Sequence, residues 1–278
     1  MDRRMSEQQA TQQCAATATL AKFPLHVEVT GQGAPLVMLH GWGMHSGIWS
    51  ETAAQLSRFF EVNSVDLPGH GASVSLGTFS LDSVVDQLAA RFDRSVTVCG
   101  WSLGGQIALH WAKLEPEKIK RLVLVSSTPC FVERGDWPHG MSREILGQFA
   151  VELEKNHAAT LRRFLALQVR GSEGERELLA AMRASLFSRG EPDMSALRGG
   201  LEILRDADLR DVLPDIMQPV LVIAGGRDNL TPPEASKYMA KMMSNARMVE
   251  IGGAAHAPFL SHPDEFAKHV VGFMRGNF

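Results

Sequence analysis

The chain has 278 residues, 45% hydrophobic and 21% charged, with 28 Lys and Arg against 31 Asp and Glu and a formal net charge of −3. This excludes a disordered chain, which would be poorer in Leu, Val and Ile, and argues against nucleic-acid binding through global charge. Three scattered cysteines (Cys14, Cys99, Cys130) exclude a disulfide framework or a zinc site, and no apolar run reaches the roughly 20 residues that cross a bilayer. A reduced, cytoplasmic, membrane-free setting is the expectation.

Residues 1–21 are rich in Gln, Ala and Thr and lack the apolar run of a signal peptide, so a flexible N-terminal extension is predicted. From Phe23 the pattern changes. His26–Val29 alternates, Gly31-Gln32-Gly33 supplies a turn and Leu36–Leu39 is continuously apolar, which predicts a hairpin. The spacing then predicts a helix over Trp49–Phe60 and a strand over Glu61–Val65 that runs into the loop Asp66-Leu67-Pro68-Gly69-His70-Gly71. A helix over Leu81–Phe92, a strand over Val96–Cys99, a helix over Leu103–Leu114 and a strand over Lys120–Ser126 follow. After Cys130 the alternation stops, and it resumes at Val220–Ala224, Arg247–Ile251 and a final helix, Asp264–Met274. Apolar strands separated by helices indicate a mostly parallel sheet covered on both faces. The predicted architecture is an α/β core over 22–130 and 211–278, interrupted by an all-helical insertion over 131–210.

Gly100-Trp101-Ser102-Leu103-Gly104 matches G-x-S-x-G between a predicted strand and a predicted helix. A serine on such a turn exposes its hydroxyl above the sheet, beside the unpaired N–H groups of a helix N-terminus. A glycine-rich turn that merely reverses the chain is the competing reading. Serine needs a base. His256, in the small-residue loop Gly252–Pro258, is the candidate, because His110 and His269 fall in helices, His139 and His157 in the insertion, and His262 beside Pro263. Two acids could orient it, Asp66 and Asp228, each following a strand. The chain order Ser102, Asp228, His256 selects Asp228. Backbone N–H groups of Leu103 and of Trp42, in His40-Gly41-Trp42-Gly43, are the candidate oxyanion donors, with the Trp42 indole lining an acyl pocket. No metal motif or dinucleotide fingerprint appears, so neither metal nor cofactor is expected.

These motifs resemble the α/β-hydrolase superfamily from about residue 22 onward. Leu39–Met44, Asp66–Gly71, Gly100–Gly105, Ala254–Phe259, Arg163–Gln168 and Gly199–Leu204 together resemble the BioH family, the pimeloyl-[acyl-carrier protein] methyl ester esterases of biotin synthesis. That family usually lacks an N-terminal extension. The resemblance implies an α/β-hydrolase fold with a helical lid, hydrolysis of a methyl ester on a carrier-bound pimeloyl chain, and an acyl-carrier protein as partner. It also suggests that Phe164, Leu165, Ala166, Leu167 and Gln168 contact substrate together with Trp42, Ser102, Leu103 and His256. Packing within the lid would account equally well for Phe164–Leu167.

Between Lys155 and Arg189 seven basic residues (Lys155, Arg162, Arg163, Arg170, Arg176, Arg183, Arg189) face three acids (Glu173, Glu175, Glu177), a local net charge of +4. The pairs Lys155/Arg162, Arg163/Arg170 and Arg176/Arg183 are two helical turns apart, so each pair is expected on one helix face. Arg162, Arg163, Arg170 and Arg176 are the candidates for docking an acidic carrier; a solvated helix face is the alternative. A monomer is expected. A general carboxylesterase, a C–C bond hydrolase with the same triad and a ligand receptor on a hydrolase fold stay open as other readings.

Overall fold

The computed structural model describes residues 25–75 and 77–276. The extension expected over 1–21, with Cys14, lies outside the described residues. Strands β1 (Val27–Thr30), β2 (Pro35–Leu39), β3 (Glu61–Val65), β4 (Val96–Trp101), β5 (Ile119–Val125), β6 (Val220–Gly225) and β7 (Ala246–Ile251) form a seven-stranded sheet. Its order is β1-β3-β2-β4-β5-β6-β7, and only β1 runs antiparallel to its neighbour. Helices α1 (Ser50–Leu56), α2 (Leu81–Arg91) and α3 (Leu103–Leu114) fall among the first five strands. Four helices stand between β5 and β6: α4 (Arg143–Lys155), α5 (His157–Val169), α6 (Glu175–Ser185) and α7 (Met194–Asp206). Then come α8 (Pro233–Met242), a single turn α9 (Pro258–Ser261) and α10 (Pro263–Met274). With α2 packed on α3 and α10 on α1, β4 is buried along its whole length, and Thr97 is its one hydroxyl residue. No described helix is long and apolar enough to cross a membrane.

Two expectations need correction. The predicted hairpin of His26–Val29 with Leu36–Leu39 does not form: β1 pairs with β3, Val27 opposite Val65, while β2 lies between β3 and β4. Both edges of β2 are occupied by parallel partners, so the half-exposed β1 takes the free edge of β3 instead. The helix predicted over Trp49–Phe60 is a 3₁₀ turn, Ser46–Trp49, followed by α1. It stops early because the Phe59 and Phe60 N–H groups both turn back to Leu56 O, which brings Phe60 into the core ahead of β3.

The loops that follow β2 and β3 are clamped together by two buried imidazoles. His40 Nε2 accepts the Leu67 N–H at 3.0 Å and its Nδ1 donates to Gly41 O at 2.8 Å. The His70 ring lies 5.1 Å away, with Nδ1 donating to Pro68 O and Nε2 buried with no partner among the described residues. Burial, with His70 alongside, pushes His40 down to about 3, and burial pushes His70 down to about 4. Asp66 closes the cluster, its carboxylate accepting the Ser46 and Ala72 N–H groups at 2.7 and 2.9 Å. Burial acts to raise its pKa, but those bonds outweigh it and keep the carboxyl below its ordinary value.

Both histidines bind protons more readily in the unfolded chain, so acid destabilises the fold. The loss begins near pH 6.5, the unfolded value, and continues until the folded rings themselves titrate. From pH 7 to pH 5 each histidine should cost about 2 kcal/mol. Urea melts at both pH values test this: His70→Gln should lose less stability on acidification than the parent chain, and an equal loss would remove His70 from the account.

Candidate active site

The nucleophile position is built by backbone crowding. Ser102 joins β4 to α3 at φ 55, ψ −117, a strained conformation that costs about 1–3 kcal/mol in a non-glycine residue. Its N–H donates to Val125 O at 3.0 Å, and Ser127 Oγ donates to Ser102 O at 2.9 Å, so β5 and the loop after it hold the turn. A Cβ on Gly104 would come within 2.5 Å of Leu39 O, and one on Gly100 within 2.2 Å of Gly104 O. Side chains at those positions would push the turn off the sheet.

Ser102, His256 and Asp228 come together in one hydrogen-bonded chain. Ser102 Oγ donates to His256 Nε2 at 2.9 Å, and His256 Nδ1 donates to Asp228 Oδ2 at 2.8 Å. His256 and Asp228 side chains are both 1% exposed, so their charges would be costly without partners. Asp228 has them: Oδ1 accepts the Leu230 and Thr231 N–H groups at 2.9 and 3.0 Å, and Oδ2 accepts Thr231 Oγ1–H at 2.7 Å. Sequence reasoning missed Thr231; the signal was a hydroxyl residue three positions after an aspartate in a turn, the spacing of a local side-chain cap. Asp66, the competing acid, spends its carboxylate on Ser46 and Ala72 instead.

The imidazole is steered from behind. Trp101 Nε1 donates to His256 O at 2.7 Å, and the His256 N–H donates to Gln168 O, at the end of α5, at 3.0 Å. The insertion therefore holds the backbone of the histidine. It also reaches the acid loop: Arg227 donates to Gly171 O and to Glu173, while the Glu173 N–H donates to Gly253 O.

Leu103 is the first residue of α3, and among the described residues neither its N–H nor that of Trp42 has an acceptor. The Trp42 indole is committed to the insertion, donating to Leu197 O at 2.9 Å and meeting the Phe164 ring edge-on at 5.0 Å. Gly200 permits that approach, since a Cβ there would lie 2.5 Å from Trp42 Cδ1. Phe164 in turn packs on Phe149, each aromatic pair adding about 0.5–1.5 kcal/mol beyond area burial. Phe164 and Gln168 are one helical turn apart and share a face. Leu165 is buried in the core, whereas Ala166 and Leu167 are half-buried.

Of the seven basic residues six are exposed and Arg189 is half-buried. Arg162, Arg163, Arg170 and Arg176 are all exposed; Arg163 pairs with Glu152 and lies over Phe149, and Arg162 lies over Phe187. Arg176 and Arg183 share α6 as expected, but Lys155 and Arg162 do not share a helix. The chain breaks between them at Asn156, whose side chain caps α5 by accepting the Ala159 N–H. Arg189 turns inward to Ser46 Oγ and Glu28.

The alpha/beta hydrolase family model matches residues 36–269. A protein of Nitrosomonas europaea is 47% identical over 242 residues, covering 87% of this chain and 96% of its own length. One of Chromobacterium violaceum is 45% identical, covering 89% and 96%. Each is named pimeloyl-[acyl-carrier protein] methyl ester esterase. Among solved structures, an esterase from Exiguobacterium antarcticum superposes with a TM-score of 0.82 at 23% identity, over 90% of this chain and 95% of that one, and so shares the fold. The chain belongs to the alpha/beta hydrolase family and, within it, to the carboxylic ester hydrolases called pimeloyl-[acyl-carrier protein] methyl ester esterases.

Proposed function

We propose that the protein is a serine carboxylesterase that hydrolyses the methyl ester of pimeloyl-[acyl-carrier protein], releasing methanol, in the cytoplasm and as a monomer. The observation that carries the reaction type is the chain Ser102–His256–Asp228 beside two N–H groups that have no acceptor among the described residues. The substrate is taken from the names of relatives up to 47% identical.

His256 takes the Ser102 proton as Oγ attacks the ester carbonyl, and the Leu103 and Trp42 N–H groups hold the oxyanion. The tetrahedral adduct collapses, and methoxide leaves as methanol with the proton from His256. Water, deprotonated by the same imidazole, then attacks the acyl-enzyme; the second collapse frees the pimeloyl carboxylate and returns the proton to Ser102. Asp228 keeps the proton on Nδ1 and balances the imidazolium that forms twice per cycle. No metal or cofactor takes part in this scheme.

Residues 131–210 act as the lid over a core of 22–130 and 211–278, with 1–21 as an extension. Trp42, Phe164 and Gln168 border the acyl chain, with Leu165, Ala166 and Leu167 completing that stretch. Arg162, Arg163, Arg170 and Arg176 face the acidic carrier. Arg170 and Arg176 have no ion pair among the described residues, so their charge is available to a partner.

Ser102→Ala should abolish multiple turnover while shifting the melting temperature by only a few degrees; retained hydrolysis would take Ser102 out of the mechanism. Asp228→Asn should lower kcat by about 10³–10⁴-fold, read on a short p-nitrophenyl ester, and a loss below tenfold would point to another acid. Reversing Arg170 and Arg176 to Glu should raise KM about tenfold for carrier-bound substrate, more at low salt, and leave the short ester unchanged. Equal effects on both substrates would remove the docking role. Rescue of a biotin-requiring strain that lacks this esterase, with Ser102→Ala as control, tests the substrate.

A further inference from the structure

The oxyanion donor assigned to Trp42 is one half of a peptide group whose other half is Gly41 C=O. Glycine stands on both sides of Trp42, at Gly41 and Gly43, and glycine backbones rotate at little cost. A half-turn of this peptide would replace the N–H with a carbonyl oxygen and set a negative partial charge where negative charge develops. The peptide also lies close to the nucleophile, because a Cβ on Gly41 would stand 3.3 Å from Ser102 Cβ and 3.2 Å from the Trp101 ring. The site therefore needs a fastener on Gly41 O.

Two donors reach that oxygen. The Met44 N–H is at 3.3 Å, the long end of the hydrogen-bond range, whereas His40 Nδ1 is at 2.8 Å. His40 can donate from Nδ1 because its Nε2 is occupied as acceptor by the Leu67 N–H at 3.0 Å, which selects the tautomer. The ring is fully buried, with the His70 ring 5.1 Å away, and turning it over would break both of its hydrogen bonds.

We infer that His40 is a positioning residue for acyl transfer, locking the Gly41–Trp42 peptide with its N–H available to the oxyanion and polarising that N–H through the carbonyl it binds. The inference rests on the reading of Trp42 as an oxyanion donor. Since burial pushes His40 down to about 3, the ring is neutral at working pH and acts as a fixed dipole. A hydrogen bond accepted by a peptide oxygen strengthens donation from the nitrogen of the same peptide. The loop after β3 thus takes part in catalysis at one remove, through Leu67.

The test uses the full chain, a short p-nitrophenyl ester and a trifluoromethyl ketone that adds reversibly to a serine, all counted per active site by titration. His40→Ala should lower kcat about 10- to 100-fold with KM within about threefold, and raise the inhibition constant of the ketone by a matching factor. His40→Asn, which keeps an N–H at a similar place, should recover part of both. A merely structural role would lower the melting temperature and the titratable fraction while leaving per-site kcat and ketone affinity unchanged, and that result would overturn the inference. Should His40→Ala fail to fold, long-range ¹H–¹⁵N spectra of the parent protein decide: a neutral ring protonated on Nδ1 supports the lock, and protonation on Nε2 overturns it. If the parent chain binds the trifluoromethyl ketone no more tightly than the matching methyl ketone, the oxyanion reading beneath falls as well. Tight binding by the parent and by His40→Ala alike defeats the His40 inference alone.

Discussion

The close approach of three backbones at the end of β4 is the constraint from which the rest of the site follows. Gly104 lies against the carbonyl of Leu39, Gly100 against that of Gly104, and between them Ser102 is held at a positive φ by a hydrogen bond to β5. This geometry puts the serine oxygen above the sheet, aims the first N–H of α3 beside it, and leaves the loop after β2 within touching distance. Every other functional residue is delivered to that point. Asp228 comes from the end of β6 and His256 from the loop after β7, so the parallel strands β2 to β7, which end on one side of the sheet, supply the convergence.

Holding these groups still is a separate problem, met mostly by backbone atoms. The carboxylate of Asp228 is fixed by its own turn, the His256 backbone by the Trp101 indole N–H and the Gln168 carbonyl, and the Gly41 carbonyl by the His40 ring. Preorganisation of this kind keeps donors oriented before charge appears, which is where most of the catalytic benefit of such sites arises.

Much of this was legible in the residues alone. The serine turn could be read because its neighbours must be small and because a strand and a helix flank it; the helix predicted over Leu103–Leu114 has those bounds in the structure. Asp228 and His256 could be read from chain order and from their place after apolar strands. What escaped were relations between segments distant in sequence. The Gly31–Gly33 turn speaks for a local hairpin, yet the pairing partner of β1 lies more than thirty residues away, where only the whole sheet decides it. Arg189 counts in the sequence only as one of seven basic residues, and its pairing with Glu28 joins segments far apart in the chain. Asn156, a helix cap, could have been read as the break between α4 and α5, and it separates Lys155 from Arg162, which spacing alone puts on one helix face.

One bond in the insertion has a mechanical meaning. Because the carbonyl of Gln168 accepts the His256 N–H, and Glu173 grips the same loop at Gly253, the end of α5 is part of the mounting of the base. Helix α5 cannot move away as a rigid body without breaking the bond that holds the His256 backbone. The setting of the bond between His256 and Ser102 therefore depends on α5 keeping its place.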